Sequence, residues 1–345
     1  MIQEIRIKNY LSFRDEVVLS FEATKDTTFE ECQVANVTPK VRLLRFALIY
    51  GANASGKSNL LKAMDFLRDF WFDKKSDIDE ETGVVPFLLD TETPNEPSEF
   101  NIKFFVGDKR YWYALVLDDK QVIKEDLYVY NSVQPSLVFS RELDGTASLI
   151  KLNASLVKAN ATIVEQLNVK CLSNMSFFAA RNQVNCSLAY IDEVRDWMKN
   201  NMMPIIEPGT RMFEYAGKQM EKNAELKAYI LDFVHKADYN ITDVYTEREK
   251  VPIPDFVKAS IMEDKDIPEK AKEKMLADNA LERLRTDFQH TVKNKRGEEN
   301  YRLPNSLQSE GTKRTFGIEA AIYEAIKTNG ILPIDEIESS LHPEL

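Results

Sequence analysis

Apolar positions alternate along the first twenty residues. Ile2, Ile5 and Ile7 lead to Tyr10, Leu11 and Phe13, and Val17, Leu19 and Phe21 then point to one side. This pattern predicts two strands of a half-buried antiparallel pair. The polar stretch 26–40 predicts a loop. Residues 43–50 form a nearly continuous apolar run ending at Gly51, which predicts a strand buried on both faces. From Ser58 the spacing turns helical, with Leu60, Leu61, Met64, Phe66, Leu67, Phe70 and Trp71. The acidic stretch 73–83 reads as a solvated loop. Residues 84–149 carry β-type runs separated by turns at Gly107-Asp108 and Asp118-Asp119, which predicts an antiparallel meander.

The second half reads differently. Residues 152–284 are mostly helical, with clear helical stretches at 189–200, 212–236 and 268–284 and breaks at Pro252 and Pro254. The runs 285–292 and 301–307 flank a charged turn at Gly297 and predict a hairpin. A helix follows over 309–328. Residues 330–336 form an apolar strand running into Asp335 and Glu336. Pro333 cannot donate to a sheet ladder, so a bulge or an unpaired position is expected there. Three regions result: 1–150, a first lobe with the meander; 151–308, a mainly helical insertion ending in the hairpin; and 309–345, a helix and strand returning to the core.

Composition narrows the class. The chain has 345 residues, 43% of them hydrophobic and 29% charged, so wholesale disorder and a collagen-like fibre are excluded. The net charge of −11 weighs against coating nucleic acid through bulk charge. No apolar stretch reaches the roughly 18 residues of a membrane span, and the charged start is unlike a signal peptide. Cys32, Cys171 and Cys186 form no CxxC pair and read as reduced thiols, which places the protein in the cytoplasm. His235, His290 and His342 share no metal-ligand spacing.

The chemistry concentrates in three places. Residues 51–58, Gly-Ala-Asn-Ala-Ser-Gly-Lys-Ser, match G-x-x-x-x-G-K-[ST]. Such glycines let the backbone curl until several N–H groups point inward and cradle phosphate oxygens. The following helix adds its positive end, Lys57 reaches the β- and γ-phosphates, and the Ser58 hydroxyl serves Mg²⁺. Asp335, after an apolar strand, is suited to hold Mg²⁺, and Glu336 is suited to polarise an attacking water as general base. Ser309-Glu310-Gly311 opens a helix and reads either as an anion site or as a plain N-cap.

The order of these motifs resembles the nucleotide-binding heads of the ABC superfamily, in the branch of the SMC, RecF and OLD-like proteins. Residues 51–58 resemble Walker A, and Asn59 after Ser58 is typical of that branch. Ser309-Glu310-Gly311 resembles the signature motif, with Glu310 where transporters usually have Gly. Asp335 and Glu336 resemble the Walker B pair, and Ser339-Ser340-Leu341-His342 resembles the D-loop. The opening stretch 5–13 is similar to that branch's first strand and loop. Tyr111-Trp112-Tyr113, Glu125 to Leu127, residues 237–241, His290 and Ser309-Glu310-Gly311-Thr312 are similar to the AAA15/AAA21-type bacterial ATPases.

The resemblance implies an α/β fold, a P-loop NTPase head of ABC type with a mixed or antiparallel β subdomain and a helical insertion. It implies ATP held by Asn53, Ala54, Ser55, Gly56, Lys57, Ser58 and Asn59, and Mg²⁺ at Ser58 and Asp335. Two heads would form a homodimer around ATP, with Ser309 and Gly311 of one head reaching the γ-phosphate on the other, and Glu336 would activate water. The expected role is a switch in anti-phage defence or DNA maintenance, beside a nuclease-like partner. The alternatives are an ATP-sensing dimerisation scaffold without significant hydrolysis, and a RecF-like repair ATPase that binds DNA, which the acidic charge disfavours. A head of this type is expected to continue past the D-loop to a further strand and a switch histidine, so the chain reads as a truncated one.

Overall fold

The computed structural model describes residues 1–236, 240–264, 267–278 and 280–339. The chain divides into two compact units. The first comprises Met1–Ile206 and Thr328–Asp335, and the second Glu207–Lys327 with the residues from Glu336 onward.

The first unit is built on a seven-stranded sheet. Its strands are β1 (Ile2–Lys8), β2 (Val17–Ser20), β5 (Ser98–Val106), β6 (Lys109–Leu117), β7 (Val122–Tyr130), β8 (Ser136–Asp144) and β9 (Ala147–Leu152). They lie in the order β2-β1-β5-β6-β7-β8-β9, every pair antiparallel. The N-terminal pair and the meander thus form as their alternation predicts. On β6, Tyr111, Tyr113, Leu115 and Leu117 are buried while Arg110, Trp112, Ala114 and Val116 are partly exposed, the two-residue period of a sheet with one covered face. Helix α2 (Lys57–Phe70) buries Leu60, Ala63, Met64, Leu67 and Phe70, a three-and-four spacing that makes one apolar stripe. Phe66 stacks on Phe100 of β5 at 5.2 Å, and Trp71, just past the helix, meets Tyr113 of β6 edge-on at 5.7 Å. A fully buried apolar side chain such as Leu67 or Phe100 contributes about 1.5–3 kcal/mol.

Helices α3 (Ala161–Lys170), α4 (Phe177–Arg181) and α5 (Ile191–Asn201) complete this unit. A polar knot lies within its core. The Glu125 carboxylate accepts from Tyr113 Oη at 2.9 Å, Ser176 Oγ at 2.8 Å, the Phe177 N–H at 2.7 Å and Arg141 Nη1 at 3.4 Å. Arg141 is itself fully buried and donates to the carbonyls of Met175, Leu172 and Ser173 and to Ser148 Oγ. Burial pushes the Glu125 carboxyl up, and Arg141 and the other donors oppose that rise. Tyr113 and Glu125, singled out in the sequence, therefore meet in one structural network.

Parallel pairing enters where the chain returns. Ile331 N–H donates to the Asn201 carbonyl, and Met203 N–H donates to that of Ile331. Ile206 N–H then donates to the Pro333 carbonyl and Asp335 N–H to that of Ile206. Three residue steps from Met203 to Ile206 thus face two from Ile331 to Pro333. The register slips by one residue at the position where Pro333 lacks a donor, which is the irregularity its chemistry demands.

Two expectations fail in this unit. Residues 43–50 do not form one doubly buried strand. Instead β4 (Val41–Leu44) pairs antiparallel with β3 (Val34–Thr38), and Phe46, Leu48 and Tyr50 are 56%, 53% and 84% exposed. A short apolar run becomes a buried strand only where neighbours present both backbone groups and a covering face, and its periodicity does not report either. The polar stretch 26–40 is not all loop, since it holds β3 and the short helix α1 (Glu30–Gln33).

The second unit holds α6 (Phe213–Lys222), α7 (Ala224–Lys236), α8 (Asp255–Glu263), α9 (Glu269–Asp278) and α10 (Glu310–Thr328, whose last residue falls to the first unit). Between them lies an antiparallel sheet of β10 (Asp243–Pro252), β11 (Ala280–Asn294) and β12 (Gly297–Pro304). The predicted hairpin is β11–β12, closed at Asn294 and Gly297. The stretch 151–308 thus carries β10, β11 and β12 beside its helices α3 to α9. The helix expected over 268–284 ends at Asp278, and a strand runs from Ala280. Thr286 and Phe288 are buried at a two-residue spacing, and a Cβ on Gly217 of α6 would lie 3.1 Å from Leu284. This packing outweighs local helix propensity. Phe288 joins Phe213 at 5.6 Å and Phe316 of α10 at 4.9 Å in the core of this unit.

Candidate functional site: a phosphate-binding loop and two acidic residues

The loop 51–56 leads into the first turn of α2. Ala54 and Gly56 have φ of +63° and +92°, in the left-handed region. A Cβ on Gly56 would lie 2.8 Å from both Phe13 Cε1 and Ser12 Oγ, and one on Gly51 would lie 2.6 Å from Ser55 Oγ. Gly56, at positive φ and against the Phe13 ring, therefore requires glycine, whereas at Gly51 a side chain would need the Ser55 hydroxyl to turn away. The loop is exposed from Gly51 to Ser55, while Gly56, Lys57, Ser58 and Asn59 are half-buried.

Gly56 is the N-cap of α2, with no side-chain cap bond, and the first turn contains no acid. The leading N–H groups of a helix without a side-chain cap, at its positive end, form a ready anion site. Lys57 Nζ donates to the carbonyls of Gly51 at 2.9 Å and Ala52 at 3.1 Å, so its ammonium lies against the loop. The local geometry suits phosphate oxygens, and the residue types Asn53 to Ser58 lie along it.

Asn59 also bonds within the chain. Its Nδ2 donates to Ser12 Oγ at 2.9 Å, which ties the first turn of α2 to the loop after β1. Ser12 and Phe13 are neighbours of the phosphate loop that motif reading did not single out, although the stretch 5–13 carried part of the resemblance. Tyr10, in the loop after β1, packs against Phe66 of α2 at 5.7 Å. Burial, more than nearby Asp65, pushes its phenol up to about 12.

Asp335 belongs to the same unit as this loop. A chain of contacts links it to α2: Asp65 of the helix accepts from the Ile205 N–H at 3.2 Å, and Ile206 pairs with Asp335. The Ser58 hydroxyl and the Asp335 carboxylate are hard oxygen donors of the kind Mg²⁺ takes together with phosphate oxygens and water. No cluster of three or more His, Cys, Asp or Glu that could hold a metal occurs among the described residues.

Glu336 is exposed and falls to the second unit, as do Ser309 and Gly311. Its φ is +46°, an uncommon value for a residue with a side chain. Ser309 caps α10: its Oγ accepts from the Thr312 N–H at 3.1 Å and lies 2.8 Å from Thr312 Oγ1. The cap accounts for Ser309 within the chain. Gly311 lies in the first turn, where its carbonyl accepts from Thr315 Oγ1 at 3.0 Å. Of the stretch that resembles the D-loop, Ser339 alone lies among the described residues, and its N–H donates to the Glu336 carbonyl at 2.9 Å. Residues 237–239 and 340–345 lie outside them.

His290 Nε2 lies 2.9 Å from Gln308 Nε2, a contact that ties the hairpin to the segment before α10. The three cysteines are free thiols. Among the described residues no helix is long and apolar enough to cross a membrane.

A comparison with curated proteins finds no match. The family described as "AAA domain, putative AbiEii toxin, Type IV TA system" matches residues 46–151 and 209–345, well over half of the chain. Its first segment contains the phosphate-loop motif and its second the Ser309, Asp335 and Glu336 positions. With the mixed α/β architecture and its large antiparallel sheet, this match makes the chain a member of that family of AAA-domain ATPases.

Proposed function

We propose that the protein binds ATP at residues 53–58 and hydrolyses it when two copies close around the nucleotide. The observation that carries this reading is the left-handed turn at Ala54 and Gly56 opening onto the α2 terminus, with no side-chain cap and Lys57 at its first position. The backbone N–H groups and Lys57 bind and orient the phosphates, and Asn59 and Ser12 hold the helix terminus in place. Mg²⁺, held by Ser58 and Asp335, would neutralise charge on the phosphates when bound. Glu336 accepts the proton of the attacking water as general base. Ser309 and Gly311 of the second copy complete the phosphate site in trans, as the resemblance to ABC-type heads implies.

The biological role that fits this chemistry is a nucleotide-driven switch. The family description names a toxin–antitoxin system, which supports a role in defence against phage. A nuclease-like protein is the partner class this reading favours. Scaffolding without hydrolysis is the second reading, and the register slip beside Pro333, just before the two acids, favours it.

Purified protein separates the two. On the first reading, single-turnover phosphate release occurs, Lys57→Ala loses ATP affinity, and Glu336→Gln keeps affinity but stops release. Release at the same rate from wild type and Glu336→Gln would refute the assignment of the base.

A further inference from the structure

We infer that Arg314 is a positioning residue that fixes the backbone of Glu336. The inference deepens the proposed hydrolysis and rests on it only for the catalytic consequence. Arg314 lies one turn into α10, the helix that Ser309 caps. Its Nη1 donates to the Pro208 carbonyl at 2.8 Å and its Nη2 to the Glu336 carbonyl at 3.0 Å. All three residues belong to the second unit.

The acceptor is an unusual residue. Glu336 has φ +46°, a conformation that disfavours any residue with a Cβ and persists only where its surroundings impose it. Two donors converge on its carbonyl, Arg314 Nη2 and the Ser339 N–H. The Ser339 bond closes the local turn. The Arg314 bond is the one that comes from a distant element. A guanidinium reaches two carbonyls at once because its donors lie in a rigid fork, which an ammonium lacks. The same side chain therefore links three segments: the helix opened by Ser309 and Gly311, the loop at Pro208 and the residue after Asp335. A shift of α10 on engaging nucleotide in trans would be passed to the Glu336 backbone through this side chain. Nothing in the motif pattern marks Arg314, because the acceptors at Pro208 and Glu336 are main-chain carbonyls, which any residue type supplies.

The test uses the full chain with Arg314→Ala and Arg314→Lys. Three quantities are read: affinity for a fluorescent ATP analogue, single-turnover phosphate release, and hydrogen exchange over residues 331–339. Misplacing a catalytic group by about 1 Å can lower the rate about 100-fold, and a loss of roughly 10- to 100-fold is expected for Arg314→Ala. Affinity is expected to stay within about twofold, since the phosphate loop is untouched. Arg314→Lys is expected to fall between, because one ammonium does not hold both carbonyls. Exchange over 331–339 should accelerate in both variants.

Release unchanged in Arg314→Ala overturns the inference. Equal losses of affinity and rate also overturn it, because they signal general damage, as does full rescue by lysine. If wild type and Glu336→Gln release phosphate alike, the reading of Glu336 as the base fails. Exchange then decides the anchoring by itself: faster exchange in Arg314→Ala upholds the link, and unchanged exchange refutes it.

Discussion

Lys57 Nζ donates to the carbonyl of Gly51 at 2.9 Å, across the loop it is expected to serve. With the bond to the Ala52 carbonyl, it holds the ammonium against the loop that opens α2. Positive charge and oriented donors thus converge on one small region of the first unit. The convergence is a property of the backbone conformation as much as of the lysine.

Replacing Lys57 by Ala removes the charge from a half-exposed position. Stability is expected to change by no more than about 0.5 kcal/mol. Affinity for ATP is expected to fall roughly 10- to 100-fold or more, the worth of a charged hydrogen bond to phosphate. Titration with a fluorescent ATP analogue and a thermal melt on the same samples measure both. An unchanged affinity would remove the phosphate loop from the proposed function.

Ser309 allows two roles to be separated. As a cap it satisfies the Thr312 N–H, so Ser309→Ala should cost about 1 kcal/mol in a urea melt. Ser309→Asp keeps a capping oxygen and should hold near-wild-type stability. It also places a negative charge where a phosphate is expected to arrive in trans. Gel filtration with ATP and Mg²⁺ should then show a dimer for wild type and a monomer for Ser309→Asp. An ATP-dependent dimer of Ser309→Asp would leave the serine as a cap and nothing more.

Glu125 and Arg141 test the core of the first unit. Glu125→Leu leaves a fully buried guanidinium without its counter-charge, and a loss of about 3–5 kcal/mol is expected. A double-mutant cycle with Arg141→Met should give a coupling of at least about 1 kcal/mol, measured by urea unfolding. Additive losses would show that Arg141 is held by Ser148 and its three carbonyl partners without help from Glu125.

Glu319 of α10 gives a pH signature. Burial raises its carboxyl above the usual 4.5, and a bond to Tyr229 opposes the rise. The folded state therefore keeps a proton that the unfolded state has lost, over the window from 4.5 up to the raised value. This group's contribution to stability is present below that window and is lost as pH rises through it. Glu319→Gln does not titrate and keeps a polar partner for Tyr229. Its urea midpoint should exceed that of wild type at pH 8, with the gap closing toward pH 4. A gap that does not change with pH would show that burial leaves this carboxyl's titration where it was.

Much of the molecule was legible residue by residue. The alternation at Ile2, Ile5 and Ile7 is local information, and so is the Asn294–Gly297 turn; each needs only its neighbours to act. The phosphate loop was legible for the same reason, since Gly51, Gly56 and Lys57 stand within eight residues and their conformation is dictated at short range. Pro333 announced an irregularity because a missing N–H is a property of the residue itself.

Other features depended on partners far along the chain. Whether residues 46–50 are covered, and whether 280–284 are strand rather than helix, was decided by which surfaces they meet. Leu284 and Thr286 lie against Gly217, far upstream, and no window of sequence contains both sides. The slip beside Pro333 took its form from residues 203–206, and the hold of Arg314 on Glu336 spans 22 positions. The sequence by itself determined the local conformations and the chemistry available to the chain. Tertiary structure decided which backbone groups that chemistry reaches, because long-range packing and hydrogen bonding outweigh local preferences of a few tenths of a kcal/mol per residue.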